Sequence, residues 1–244
     1  MTAHLVADVG NSRIKWGHFQ LGGMRVAAVP PDDPVAWAAQ LREWAVTGPA
    51  EWAIASVHPT RRDQLAEWLK AGGATVRIIS DYRELPIRLD VASPEKVGID
   101  RLLNAVAAAA RVPPNTPAVI IDAGSAVTVD LVDAAGTFRG GAIFPGLRLM
   151  ARALHQFTAQ LPLVQDFELH DLTGRDTTAA IRAGVYYAVC GGVDRLVGQM
   201  VETGARIFLA GGSVEIAADL RCRPEVVGPA LTLDGIRRTA WPET

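Results

Sequence analysis

The sequence has few cysteines, no basic runs and no long apolar stretches. Its 244 residues include two cysteines, Cys190 and Cys222, whose spacing fits neither a metal motif nor a disulfide framework, so a reducing cytoplasmic setting is expected. The formal net charge is −2 and Lys and Arg do not cluster, so no nucleic-acid partner is expected. The most apolar segment, residues 118–132, contains two aspartates, which argues against a membrane span.

Two stretches of the sequence share one pattern. In Val6–Ser12 and in Ile120–Ser125 an apolar strand runs into Asp, a small residue and Gly, followed by hydroxyl or amide side chains. The two carboxylates, Asp8 and Asp122, are 114 positions apart. A strand that turns on glycine exposes backbone N–H groups that suit phosphate oxygens, and a neighbouring carboxylate suits Mg²⁺. Two unrelated β-hairpins could begin alike, but the repeat favours a phosphoryl-transfer site.

The order of predicted elements repeats as well. Three strands are followed by helix, strand, helix, strand and helix, and the second half begins again with three strands. The segment Val112–Pro117 reads as a linker, so we expect two similar domains, residues 1–114 and 115–244. A long helix is expected from Thr178, and a last helix over Leu231–Arg238. This pattern predicts an α/β protein with the duplicated ribonuclease H-like fold of actin, hexokinase and acetate kinase, in which nucleotide lies between the halves.

Ser93-Pro94 predicts the beginning of a third helix, and an Asp-Arg pair stands near its start, in Gly98-Ile99-Asp100-Arg101. Such a pair can be accidental, with Asp100 only answering the helix dipole in a solvated first turn. Arg101 opposes that dipole, however, and apolar residues follow it, so the two charges lie at the edge of a buried helix. There Asp100 could accept a proton from a substrate hydroxyl, and Arg101 could hold a substrate carboxylate.

Five motifs, in order along the whole chain, resemble those of the type III pantothenate kinases, which catalyse the first step of coenzyme A synthesis in many bacteria. They are Asp8–Lys15, Gly98–Arg101, Asp122–Asp130, Gly140–Gly146, and Asp176-Thr177 ahead of Ala180-Ile181. Each motif is short, but five in order with suitable spacing form a specific signal. The resemblance implies ATP-dependent phosphorylation of pantothenate to 4'-phosphopantothenate.

The resemblance also implies a role for each matching residue. ATP would be bound by the first motif and by one residue of the second turn, namely Asp8, Val9, Gly10, Asn11, Ser12, Arg13, Ile14, Lys15 and Ser125. Pantothenate would be bound by Gly98, Ile99, Asp100, Arg101 and Thr177. Asp100 would be the general base, Asp8 would lie near Mg²⁺, and Asp122 would coordinate a monovalent cation, K⁺ or NH₄⁺. The family forms homodimers in which the second subunit helps to build the pantothenate pocket.

The sequence departs from the family pattern at a few positions. Ser12 and Ser125 replace Thr but keep the hydroxyl, and Ile99 replaces a smaller residue. Many members carry a Tyr upstream of Gly98 that lines the substrate pocket, and the corresponding stretch Leu89–Val91 has none.

Alternatives stay open at the level of sequence. The chain could be a catalytically silent regulator on the same scaffold, or a kinase of another small hydroxy acid. The retained Asp8, Asp100, Arg101 and Asp122 argue against lost catalysis. Small residues along the helix after Thr178 fit a dimer interface, although they would equally serve packing within one subunit.

Overall fold

The protein is described by a computed structural model that covers residues 2–168, 172–201 and 204–242. The strands are β1 (Ala3–Val9), β2 (Ile14–Gln20), β3 (Gly23–Val29), β4 (Ala50–Ser56), β5 (Thr75–Ile79), β6 (Arg88–Leu89), β7 (Ala118–Ala123), β8 (Ala126–Val132), β9 (Thr137–Pro145), β10 (Arg206–Gly211) and β11 (Glu225–Gly228). The helices are α1 (Pro34–Glu43), α2 (Pro59–Ala71), α3 (Ile99–Ala109), α4 (Leu147–Phe157), α5 (Thr177–Met200) and α6 (Ala230–Ala240). Within the ranges described, none of these helices has the length and apolar character needed to cross a membrane.

The chain divides into two compact units. Unit 1 comprises residues 2–113, 136–138 and 229–242, and unit 2 comprises the described residues of 114–135 and 139–228. The sequence places the last helix in the second half, whereas the structure groups α6 with unit 1. The reason is local packing, since a Cβ on Gly235 of α6 would stand 2.0 Å from the carbonyl oxygen of Leu103 on α3. Only glycine allows the two helix backbones to approach so closely.

Unit 1 is built on a five-stranded sheet with the order β3-β2-β1-β4-β5. The first three strands form an antiparallel meander, and β4 and β5 continue the sheet parallel to β1. Strand β1 is central and is buried from Leu5 to Val9, where Asp8 alone interrupts the apolar run. The core beside it contains Trp16, Trp37, Trp44 and Trp52, as their apolar surroundings in the sequence suggest.

Unit 2 repeats this strand order as β9-β8-β7-β10-β11, within a six-stranded sheet whose sixth strand, β6, pairs with the start of β9. Strands β7 and β8 are antiparallel, while β10 runs parallel to both β7 and β11. Helices α4 and α5 bury their apolar sides in the core of this unit, with Val119, Ile121 and Val189 among the fully buried residues. A hairpin-first, mixed sheet with this order of five strands in each unit is the ribonuclease H-like pattern, so the predicted fold class is confirmed.

Candidate active site

The first glycine turn of unit 1 joins β1 to β2. The turn closes with a hydrogen bond of 3.2 Å from the backbone N–H of Gly10 to the carbonyl of Arg13. Asp8 and Lys15 are directly opposite each other on the paired strands, and Lys15 Nζ lies 3.5 Å from Asp8 Oδ2. Asp8 is buried, whereas residues 11–13 at the tip are exposed. The turn therefore offers an anchored carboxylate, an ammonium group and an open backbone loop.

Residues after β4 hold this turn from behind. Ser56 Oγ donates to the carbonyl of Val9 at 2.9 Å, and it accepts the backbone N–H of His58 at 2.7 Å. From the first turn of α2, Arg61 donates to the carbonyl of Asn11 and also pairs with Asp32 at 3.4 Å. These contacts fix the exit of β1 and the turn tip, so the loop is preorganised on a rigid frame.

The predicted Asp-Arg pair lies in the first turn of α3. Gly98 precedes the helix as its N-terminal cap, and Asp100 Oδ1 accepts the backbone N–H of Arg101 at 2.9 Å. A Cβ on Gly98 would stand 2.5 Å from Asp100 Oδ1, so a side chain there would displace the carboxylate. The helix N-terminus and the amide bond both stabilise the ionised carboxylate, the form that accepts a proton.

Arg101 is supported by an aromatic ring of the same unit. The centre of its guanidinium group lies 5.9 Å from the ring of Phe138, which is fully buried at the start of β9. A planar cation is attracted to an aromatic face at this distance. Farther along α3, residues Leu102 to Ala108 are all buried, and Thr232 of α6 donates to Asn104 at 2.8 Å. The charged pair therefore stands on a helix that packing holds in place.

The second glycine turn, in unit 2, is shorter than the first, because its hydrogen bond joins residues two positions apart instead of three. It joins β7 to β8 through Gly124 and Ser125, with a hydrogen bond of 3.0 Å from Gly124 N–H to the carbonyl of Ala126. The N–H of Gly146 donates to the Ser125 carbonyl at 3.0 Å, and a Cβ on Gly146 would stand 2.3 Å from the Gly124 carbonyl. Ser125 itself is exposed. The motif Gly140–Gly146 thus contributes Gly146, which packs against this turn and donates a hydrogen bond to it.

Oxygen atoms surround Asp122 at the end of β7. Gly211, at the end of β10, has a φ of +95°, and a Cβ there would stand 2.6 Å from Asp122 Oδ1 and 2.4 Å from the Ala123 carbonyl. On the other side, Thr128 of β8 is directly opposite Asp122 in the sheet register. The Oγ1 of Thr128 is buried and has no hydrogen-bond partner among the described residues. A buried hydroxyl without a partner is costly, which makes it notable beside a carboxylate.

Thr177 is the first residue of α5 and is exposed there. The preceding Asp176 caps the helix by accepting the N–H of Ala179 at 2.8 Å, which is the structural use of the Asp-Thr motif.

Asp130, by contrast, is 1% exposed in the middle of unit 2. A Cβ on Gly141 would stand 2.5 Å from its Oδ1, so Gly141 accommodates this buried carboxylate.

Sequence reasoning thus found both turns and the start of α3, and each lies where a strand or helix ends. It missed Ser56 and Arg61 behind the first turn, Phe138 beside Arg101, and Thr128 beside Asp122. Phe138 and Thr128 are ordinary strand residues in the sequence. The sheet register reveals Thr128, and the packing of α3 against β9 reveals Phe138. Within the described ranges, no group of three or more His, Cys, Asp or Glu side chains could hold a metal ion by itself.

Comparison with solved structures supports the fold. A crystal structure from Campylobacter jejuni, described as a Baf family transcriptional activator, is 19% identical with a TM-score of 0.58, and 96% of each chain is covered. The activator of 2-hydroxyisocaproyl-CoA dehydratase from Clostridium difficile, with bound ADPNP, is 11% identical with a TM-score of 0.52, covering 98% of this chain and 96% of that one. The fold, with its two glycine turns, is that of the actin- and hexokinase-type class of proteins.

Sequence comparison identifies the family within that class. The family model for type III pantothenate kinase matches residues 4–199. The type III pantothenate kinase of Alkalilimnicola ehrlichii is 34% identical over 251 residues, covering 97% of both chains. That of Rhodospirillum centenum is 30% identical over 252 residues, covering 96% of both. The chain belongs to the type III pantothenate kinase family, and it is a kinase.

Proposed function

We propose that this kinase transfers the γ-phosphoryl group of ATP to the primary hydroxyl of pantothenate, giving 4'-phosphopantothenate and ADP in the first step of coenzyme A synthesis. The observation that carries the proposal is the placement of Asp100, held by the Arg101 amide in space that Gly98 leaves free. The hydroxyl oxygen forms the new bond to the γ-phosphorus as the bond to the β,γ-bridging oxygen breaks. Asp100 takes the hydroxyl proton.

The first turn is the proposed ATP phosphate site. Residues Asp8 to Lys15, together with Ser125 of unit 2, would bind ATP. Exposed backbone at the tip and the ammonium of Lys15 suit phosphate oxygens. Mg²⁺ is bound in many kinases by one or two carboxylates plus substrate phosphates, and buried Asp8 is a hard oxygen donor of this kind. When bound there, the cation would neutralise charge on the phosphates.

The start of α3 is the proposed pantothenate site. The guanidinium of Arg101 would pair with the pantothenate carboxylate, because two parallel N–H donors match two carboxylate oxygens. Gly98, Ile99 and Thr177 would complete the contacts to the substrate. The ring of Phe138, 5.9 Å from the centre of the guanidinium group, would help to keep Arg101 oriented.

Asp122 is the proposed ligand of a monovalent cation, K⁺ or NH₄⁺. The support is local: Asp122 stands at a strand end, opposite Thr128, whose buried hydroxyl lacks a hydrogen-bond partner among the described residues. Carboxylate and hydroxyl oxygens suit a hard cation. A cation bound there would give the Thr128 oxygen the partner that it lacks.

A homodimer is the proposed assembly, with the long helix α5 at or near the interface. Ala180, Gly184 and Ala188 are exposed and follow one another at the spacing of a single helix face. Tyr187 on the same side is 38% exposed. Small residues beside an aromatic ring allow another helix to approach closely, and a two-fold contact would use this face in both subunits.

The free thiols of Cys190 and Cys222 fit a reducing cytoplasm, which we propose as the setting of the protein.

Mass spectrometry of the reaction product tests the proposed function. The purified protein is incubated with ATP, Mg²⁺ and either pantothenate or other small hydroxy acids, with and without K⁺. We expect one phosphoryl group to be added to pantothenate, with ADP released in equal amount. Phosphorylation of a different hydroxy acid alone would change the assigned substrate, and no transfer to any acceptor would favour the silent regulator.

A further inference from the structure

Unit 2 contains a cavity of about 810 Å³ that the proposed reaction does not use. We call it the α5 cavity; it is lined by residues of α5 from Tyr187 to Gly198, by Val201 and Ile207, and by Asp219, Arg221 and Cys222. Ile207 is opposite Val119 at the beginning of β7, whereas Asp122 is opposite Ala210 near the other end of the strands. Three residues of strand correspond to about 10 Å. The α5 cavity is therefore a separate site from the glycine turns.

The acidic groups of the α5 cavity are engaged in the framework of the protein. Asp194 accepts the backbone N–H groups of Arg221 and Cys222, both at 3.1 Å. Asp219 Oδ2 accepts the hydroxyl of Tyr186 at 2.7 Å. These bonds tie the segment after β10 to α5. Both carboxylates thus already accept hydrogen bonds from the protein, so they shape the wall of the cavity.

The two thiols of the cavity behave as apolar surface. Burial, reinforced by Asp219 and Asp194, raises the pKa of Cys190 to about 11. Burial and a hydrogen bond with Asp194 raise the pKa of Cys222 to about 12. Both thiols are protonated near neutral pH, so neither is the thiolate needed for nucleophilic attack or metal binding. With Val197, Val201 and Ile207 they form an apolar wall.

The α5 cavity also contains two arginine side chains. Arg195 and Arg221 both line it and are exposed. Neither side chain makes a hydrogen bond or ion pair with any residue in the described part of the chain. The formal charges of the two arginines and of the two carboxylates balance, but the carboxylates are turned to the hydrogen bonds described above and the guanidinium donors are not. The cavity therefore presents guanidinium donors, without a hydrogen-bond partner among the described residues, next to an apolar wall.

We propose that the α5 cavity binds a small amphiphilic anion, with a carboxylate or phosphate head held by Arg195 and Arg221 and an apolar body against Val197, Val201 and Ile207. Its volume lies in the range of about 300–1,000 Å³ that small-molecule sites occupy. This site is independent of ATP and pantothenate. It adds a second ligand to the protein whatever the outcome for the proposed reaction.

Calorimetric titration of the full chain tests this site with three probes below their micelle concentrations. Octanoate and octyl phosphate carry the two candidate heads, and octyltrimethylammonium carries the opposite charge on the same body. We expect one or both anions to bind once per chain, with the stronger one identifying the head group, and the cation not to bind. Saturating ATP and pantothenate should leave the affinity unchanged.

Substitutions identify the binding groups. The double variant Arg195→Gln/Arg221→Gln should weaken anion binding at least about 10-fold, the loss expected for a charge-assisted hydrogen bond. Arg42→Gln on α1 removes an exposed arginine from unit 1 and should leave the affinity unchanged. Thermal melting shows whether each variant is folded. The proposal is overturned if neither anion binds, if the cation binds equally, if ATP and pantothenate displace the anion, or if the folded double variant keeps wild-type affinity.

Discussion

A Cβ atom on Gly98 would stand 2.5 Å from Oδ1 of Asp100, so these two residues cannot both carry side chains in their present positions. Gly98 has a φ of −55°, which any residue adopts, so backbone strain is not the reason for glycine. The reason is space for a carboxylate that turns back over the start of α3 to accept the Arg101 amide. The glycine therefore acts through Asp100 and is a positioning residue.

Gly98→Ala should lower kcat by roughly 10²-fold, because a displacement of about 1 Å at a reacting group can cost this much. The fold should persist, since the atom that must move is the end of a side chain. Steady-state kinetics with thermal melting measures both effects. Gly48→Ala is the matched control, because a Cβ at Gly48 meets no atom within 4 Å. An unchanged kcat in Gly98→Ala would remove the positioning role.

Arg101→Ala should raise the KM for pantothenate by roughly 10- to 100-fold, the equivalent of about 1.5–3 kcal/mol for hydrogen bonds to a charged group. A contact made equally in the ground and transition states changes KM more than kcat. Arg101→Lys keeps the charge but loses the paired donors, so it should recover only part of the affinity. If only the KM for ATP changes, Arg101 belongs to the nucleotide site.

Activity should rise with K⁺ or NH₄⁺ and fall when Na⁺ replaces them, because the Asp122 carboxylate and the Thr128 hydroxyl are the proposed oxygen ligands of such a cation. Asp122→Ala should remove the cation dependence along with most of the activity. Thr128→Val keeps the shape of the side chain without its hydroxyl and should raise the K⁺ concentration needed for half-maximal rate. Equal wild-type rates in K⁺ and Na⁺ would refute the cation site and leave the kinase intact.

Gly184→Glu should lower both the mass in solution and the activity. The position is exposed on α5 and a Cβ there meets no atom within 4 Å, so the folded chain has room for the new side chain. Light scattering at micromolar concentration should show twice the chain mass for the wild type and less for the variant. Ala39→Glu, at an exposed position of α1, is the control and should change neither quantity. A monomeric and fully active wild type would contradict the proposed dimer.

The sequence predicts elements well wherever local chemistry determines them. Asp33-Pro34 predicts the start of α1, and in the structure Asp33 accepts the N–H groups of Val35 and Ala36, both at 3.0 Å. The third helix was expected from Pro94, but α3 begins at Ile99 after a short 3₁₀ turn over Pro94–Lys96. No capping side chain marks that boundary, so the apolar pattern alone could not locate it.

The sequence cannot predict contacts that depend on the alignment of distant strands and helices. Thr128 becomes notable only because the β7–β8 register places it opposite Asp122. The grouping of α6 with unit 1 depends on the approach of Gly235 to Leu103, which are 132 residues apart in the chain. Local patterns carry no information on either relationship.

The most direct test of the central claim compares wild type and Asp100→Asn in one kinetic experiment. ADP release is measured with ATP, Mg²⁺, K⁺ and pantothenate, and the affinity for a non-hydrolysable ATP analogue is measured in parallel. The account predicts pantothenate-dependent ADP release by the wild type, a kcat about 10²–10⁴-fold lower in Asp100→Asn, and equal nucleotide affinity in both. An Asp100→Asn enzyme that turns over at the wild-type rate would contradict the assignment of Asp100 as the general base.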